Sequence, residues 1–167
     1  MKIEIHTVVN GRALQPAVKP NQTLLEFLRD ELHLKGSMEG CGVGVCGSCT
    51  VLVDGRPVSS CLVLATNIEG KRVATIEGLA PGDELDPVQQ AFLENQAFQC
   101  GYCTPGMIMA TKALLSSNPQ PTEDEAREYL SGNICRCGTY EEVLAAVKSL
   151  TDKNPTNTRS STTVSSK

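Results

Sequence analysis

Tryptophan is absent from this chain of 167 residues, and aromatic residues make up only 4% of it. Any apolar core therefore has to be mainly aliphatic. No basic run and no interleaving of aromatic with basic residues occurs, and the net charge is −4. That balance excludes nucleic acid as the expected partner. No apolar stretch approaches the roughly 18 residues of a membrane span. The N-terminus, Met1-Lys2-Ile3-Glu4-Ile5-His6, has neither an apolar signal core nor a twin-arginine pair. A cytoplasmic address is expected, and there thiols are more often metal ligands than disulfides.

What the chain does have is eight cysteines in two sets of four. Cys41, Cys46, Cys49 and Cys61 read C-x4-C-x2-C with a fourth cysteine downstream. That order is the plant-type [2Fe–2S] pattern. Cys100, Cys103, Cys135 and Cys137 form two close pairs far apart in sequence. Half-chains of about 80 residues bury little core and usually need such staples.

Periodicity divides the chain. Ile3, Ile5, Thr7 and Val9 alternate as one strand. Asn10-Gly11 is a hairpin turn, with Ala13 to Val18 returning. Thr23 with Glu26 forms a capping box before Leu24, Leu25, Leu28 and Leu32 on one helical face. Strands are expected at Thr50–Val53, after the Asp54-Gly55 turn from Val58, and near Arg72 to Ile76. The pattern predicts an α+β fold, in which an N-terminal β-grasp, ferredoxin-like domain over 1–78 precedes a linker over 79–85. Beyond it every segment reads as helix. Asp86-Pro87 with Gln89, Thr104-Pro105, Thr122 with Glu125, and Thr139 with Glu142 are four start signals. A small four-helix bundle over 86–153 follows, then a tail over 154–167, rich in Ser and Thr, expected to be disordered or wrapped on a partner.

Each cysteine pair of the second set falls just before a helix. Helix N-termini carry partial positive charge, which favours thiolates. The first set sits among Gly36, Gly40, Gly42, Gly44 and Gly47. A tight cluster loop needs positive φ and backbone N–H groups aimed at sulfur. Zinc or disulfides are the alternatives, but zinc sites more often repeat C-x2-C or add histidine. Gly42 to Gly47 also matches G-x-G-x-x-G, yet it follows a helix and opens a strand, the reverse of a dinucleotide fingerprint. Cys100-Gly101-Tyr102-Cys103 lacks the βαβ context of a thioredoxin-like motif. Zinc remains an alternative for the second set. A Rieske centre needs two histidine ligands, whereas His6 and His33 read as solvated positions.

Three segments together resemble the small iron–sulfur subunit of the xanthine dehydrogenase/aldehyde oxidoreductase family, the molybdenum hydroxylases. They are Gly40 to Val51, Gln99 to Met107, and Gly132 to Tyr140, and the likeness runs over roughly residues 1 to 150. Ser48, Ser37 and Met38 depart from the family's usual residues. The resemblance implies one [2Fe–2S] cluster on Cys41, Cys46, Cys49 and Cys61 and another on Cys100, Cys103, Cys135 and Cys137. It implies that Gln99 hydrogen-bonds the molybdopterin of a large partner subunit, in its cytosine dinucleotide form. Cys137 matches the ligand nearest that pterin. A medium subunit would hold FAD, the whole forming a dimer of heterotrimers. Electrons would run from molybdenum through the helical-domain cluster and then the ferredoxin-domain cluster to FAD. No substrate-binding active site is expected on this chain. A stand-alone ferredoxin-like carrier and a zinc-stabilised interaction module are the competing readings.

Overall fold

A computed structural model describes residues 1–80, 82 and 84–152. The first half is a five-stranded mixed sheet curled around one helix. Its strands are β2 (Thr7–Val9), β3 (Arg12–Leu14), β5 (Thr50–Val53), β6 (Arg56–Ser59) and β7 (Arg72–Ala74), in the order β3-β2-β7-β5-β6. β2 and β7 run parallel, and the other pairings are antiparallel. A separate two-stranded ribbon joins β1 (Ile3–Glu4) to β4 (Ala17–Val18).

The helix α1 (Leu24–Glu26) starts at the expected capping box, with Thr23 and Glu26 bonded reciprocally. It then widens into a π-helical turn over Phe27–Glu31. Leu24, Leu25, Phe27 and Leu28 are buried there. Leu24, Phe27 and Leu28 form one core with Ile5, Val9, Val18, Val51, Val53, Ala65, Ile68 and Val73. This is the β-grasp arrangement.

Three strand expectations are corrected. The strand expected from Ile3 to Val9 breaks at His6. The His6 N–H goes to the Glu69 carboxylate at 2.6 Å, and its carbonyl accepts from Gly70 at 2.7 Å. The return expected from Ala13 to Val18 breaks at Gln15-Pro16, because proline has no N–H for the ladder. The last strand stops at Ala74, short of Ile76, because the Thr75 N–H turns to Asn10 Oδ1 at 2.8 Å.

The second half holds four α-helices among the described residues: α2 (Pro87–Glu94), α3 (Thr104–Ser117), α4 (Glu123–Leu130) and α5 (Tyr140–Asp152). The boxes at Asp86/Gln89 and Thr122/Glu125 form as expected. Thr104 is not a cap. Cys103 takes that place, and Thr104 becomes the first helical residue. Val88, Phe92, Met107, Ile108, Leu114, Val143 and Val147 are among the buried residues of this core. Pro81 and Asp83, within the expected linker, and the tail over 154–167 lie outside the described residues.

The two halves meet along β5 and α3. Leu52 packs with Met109 and Ala113, and Ala74, Ile76 and Leu79 close over them. This third core fixes the cysteine-bearing loop before β5 against the start of α3. No described helix is long and apolar enough to cross a membrane.

Candidate metal centres

The helix α1 feeds the first cysteine loop. Arg29 braces the connection, donating from one guanidinium nitrogen to the carbonyls of Lys35 and Ser37 at 2.9 and 2.6 Å. The loop then coils with positive φ at Gly42, Gly44 and Gly47. This coil turns backbone N–H groups inward. Val43, Val45 and Cys46 aim theirs at Cys41 Sγ at 3.4, 3.3 and 3.4 Å. These donors, Val43 first, hold the Cys41 thiol down at about 6. Burial, and then the Cys49 side chain, push Cys61 up to about 11.

The second set gathers from two loops. Cys103 stands immediately before α3 with no side-chain cap bond, and Cys135 and Cys137 precede α5. Burial, then Cys135 beside it, pushes Cys103 up to about 12. Burial also pushes Cys135 up, but the Thr139 hydroxyl and neighbouring donors outweigh it and bring the thiol to about 7. The Thr139 hydroxyl lies 3.2 Å from Cys135 Sγ. The Tyr102 N–H, followed by the Cys137 thiol, lowers Cys100.

The thiols of each set interact in pairs. Cys41 is perturbed by Cys46, Cys61 by Cys49, Cys100 by Cys137 and Cys103 by Cys135. Two pairs of sulfurs suit two irons with two thiolates each. Crowded thiols that raise one another's pKa are relieved by a bound cationic centre. Both donor sets therefore fit a [2Fe–2S] cluster.

The two sets share a border. The Ile134 N–H donates to the Cys46 carbonyl at 2.9 Å. Asn133 Nδ2 donates to the Gly47 carbonyl at 3.0 Å. The Tyr102 hydroxyl donates to the Glu39 carbonyl at 2.6 Å. A Cβ added to Gly106 would stand 2.2 Å from the Gly47 oxygen, so α3 starts directly against the first loop. Sequence reading assigned no role to Asn133, Tyr102, Gly106 or Arg29. Asn133 and Gly106 enter only as members of the resembling segments, and the partner of Asn133 lies 86 positions away.

Gln99 is exposed beside Cys100, with Phe98 and Tyr102 exposed on either side. Ile134 and Tyr140 add to the exposed apolar side chains near the second set. Val43, Val45 and Leu62 do the same around the first. Arg136 is exposed between its two cysteines, and His6 and His33 lie at the surface as expected.

A family model described as "2Fe-2S iron-sulfur cluster binding domain" matches residues 7–80, and a second, "[2Fe-2S] binding domain", matches 75–148. The chain is 46% identical over 147 residues to the nicotinate dehydrogenase small FeS subunit of Eubacterium barkeri, covering 88% of this chain and 94% of that one. It is 46% identical over 155 residues to the aldehyde oxidoreductase iron–sulfur-binding subunit PaoA of Escherichia coli, covering 84% and 68%. A crystal structure of quinoline 2-oxidoreductase from Pseudomonas putida 86 superposes with a TM-score of 0.87 at 41% identity, over 90% of this chain and 94% of that one. Aldehyde oxidoreductase from Desulfovibrio gigas superposes with a TM-score of 0.86 at 33% identity, over 92% of this chain but 18% of its own longer one. With two cysteine sets in a β-grasp half and a helical half, matched over nearly its whole described length, this chain belongs to the family of small [2Fe–2S] subunits of molybdenum hydroxylases.

Proposed function

We propose that this chain conducts electrons inside a heteromeric molybdenum hydroxylase, from a molybdopterin on a large subunit to FAD on a medium subunit. The observation that carries this reading is the meeting of two four-thiol sets across one hydrogen-bonded border. Cys41, Cys46, Cys49 and Cys61 hold one [2Fe–2S] cluster, and Cys100, Cys103, Cys135 and Cys137 hold the other. When bound, these groups supply one-electron carriers whose potentials follow hydrogen bonds to sulfur, burial and charge.

The residues of this chain tune and orient that chemistry. The N–H groups of Val43, Val45 and Cys46 place positive dipoles at Cys41, and the Thr139 hydroxyl does so at Cys135. Donors at sulfur favour the more negative, reduced state. Exposed Gln99 offers both donor and acceptor to the pterin, which we read as the cytosine dinucleotide. The exposed apolar side chains around each set mark two partner surfaces. Those near Gln99 face the large subunit, and those around Val43 and Leu62 face the medium one.

The whole assembly, a cytoplasmic dimer of heterotrimers in our reading, hydroxylates a small organic substrate such as an N-heterocycle or aldehyde, with oxygen from water. Purification of the chain with its neighbours tests this. About four irons and four acid-labile sulfides per small chain are expected, together with molybdenum and FAD in two larger chains. A chain isolated without such partners and carrying zinc on its cysteines would refute the reading.

A further inference from the structure

Asn133 is a buried amide that belongs to neither cysteine set and touches the frame of both. Its backbone N–H is tied to the Leu130 carbonyl at 2.9 Å, at the end of α4. Its side-chain Nδ2 reaches the Gly47 carbonyl at 3.0 Å and Thr50 Oγ1 at 3.5 Å. Gly47 stands between Cys46 and Cys49, and Asn133 stands two places before Cys135. One amide therefore spans the two cysteine sets, from the end of α4 to the turn inside the first loop.

The receiving carbonyl is itself held firmly. Thr50 donates to it twice, from N–H at 3.1 Å and from its hydroxyl at 2.7 Å. A Cβ on Gly47 would stand 2.5 Å from Asn133 Nδ2, so the amide fills the room above this glycine. Beside it, the Ile134 N–H docks on the Cys46 carbonyl. Buried donors and acceptors left unpaired are costly, which makes such a contact two-state: formed or broken.

We propose that the Asn133 carboxamide is a positioning residue that fixes the separation and mutual orientation of the two cysteine sets. This rests on the two-cluster reading above. Magnetic dipolar coupling between two reduced paramagnetic centres falls with the cube of their distance, so it reads this role directly.

The test is electron paramagnetic resonance at low temperature on the dithionite-reduced, purified complex, with iron measured on the same samples. Asn133→Asp keeps the shape but removes the donor; Asn133→Ala removes both. Wild type is expected to show two cluster signals with a resolved dipolar splitting. Both variants are expected to keep about four irons per chain and to lose the resolved splitting to a spread of weaker couplings. A splitting identical to wild type at full iron would overturn the proposal, even if the variants unfold at lower temperature. Failure of both variants to assemble either cluster would overturn it too, because Asn133 would then be a folding residue. A wild-type complex with fewer than two cluster signals would instead remove the two-cluster reading itself.

Discussion

Gly106 rests on Gly47: a Cβ placed on the helical glycine would stand 2.2 Å from the other's carbonyl oxygen and 3.1 Å from Ser48 Cα. Both neighbours are backbone and cannot swing aside. In an exposed helix a glycine-to-alanine change stabilises by about 1 kcal/mol. Here Gly106→Ala is expected to destabilise by about 1–3 kcal/mol, the usual cost of overpacking. Gly132→Ala, with nothing within 4 Å of the added Cβ, is the control and is expected to be nearly neutral. Urea unfolding of both variants separates the two outcomes.

Asp86 does two jobs. Its carboxylate caps α2 by accepting from the Val88 N–H at 2.9 Å, and it pairs with Lys112 on α3. Its side chain is only 8% exposed, so the pair is better shielded than a surface bridge. Asp86→Ala is expected to cost about 1–2 kcal/mol through the lost cap. Asp86→Asn keeps a capping oxygen and should cost less. Thermal unfolding that ranked Asn below Ala would contradict the capping role.

Two ordinary residues hold left-handed backbone where glycine is the common choice. His33 (φ 57) follows the widened end of α1, and Gln96 (φ 52) follows α2. Left-handed backbone costs a side-chain-bearing residue about 1–2 kcal/mol, and glycine returns part of that as chain entropy. His33→Gly and Gln96→Gly are each expected to stabilise by up to about 1 kcal/mol. A fall in melting temperature for either would show that its side chain has a partner elsewhere in the assembly.

Removal of one ligand should be local. Cys137→Ala is expected to reduce iron from about four to about two per chain, leaving the signal of the first set in place. Gln99→Ala is expected to leave iron unchanged and to slow reoxidation of molybdenum, read by rapid-freeze spectroscopy. Loss of iron in Gln99→Ala would make Gln99 a folding residue and remove its assigned contact.

Much of this molecule was legible residue by residue, wherever the physics is local. The Asn10-Gly11 and Asp54-Gly55 turns both adopt positive φ as their residues require. The boxes at Thr23, Asp86 and Thr122 close within four residues. The spacing of Cys41, Cys46 and Cys49 pointed to a cluster loop by itself, whereas the second set was assigned to a cluster only through the resemblance. The break at Gln15-Pro16 and the start of α3 are local departures, but non-local competition defeated two of the strand expectations. The Glu69–Gly70 turn takes the His6 backbone, and the Asn10 side chain takes Thr75. No window of sequence around either position contains its partner. The border between the cysteine sets was illegible for the same reason: Asn133, Ile134 and Tyr102 look like turn and loop residues until the first loop is set against them.

The small core of Leu52, Met109 and Ala113 bears on how this chain can be divided. Two family modules meet here near residues 75–80, and their boundary invites cutting the chain in two. Yet the cut would strip α3 from Leu52, expose Met109, and remove the Ile134 donor from the Cys46 carbonyl and the Asn133 donor from the Gly47 carbonyl. The unit that is inherited is smaller than the unit that is stable. A ferredoxin-like half excised from this chain would expose Leu52 and its neighbours on β5, and would need a redesigned face there before it could serve as a carrier.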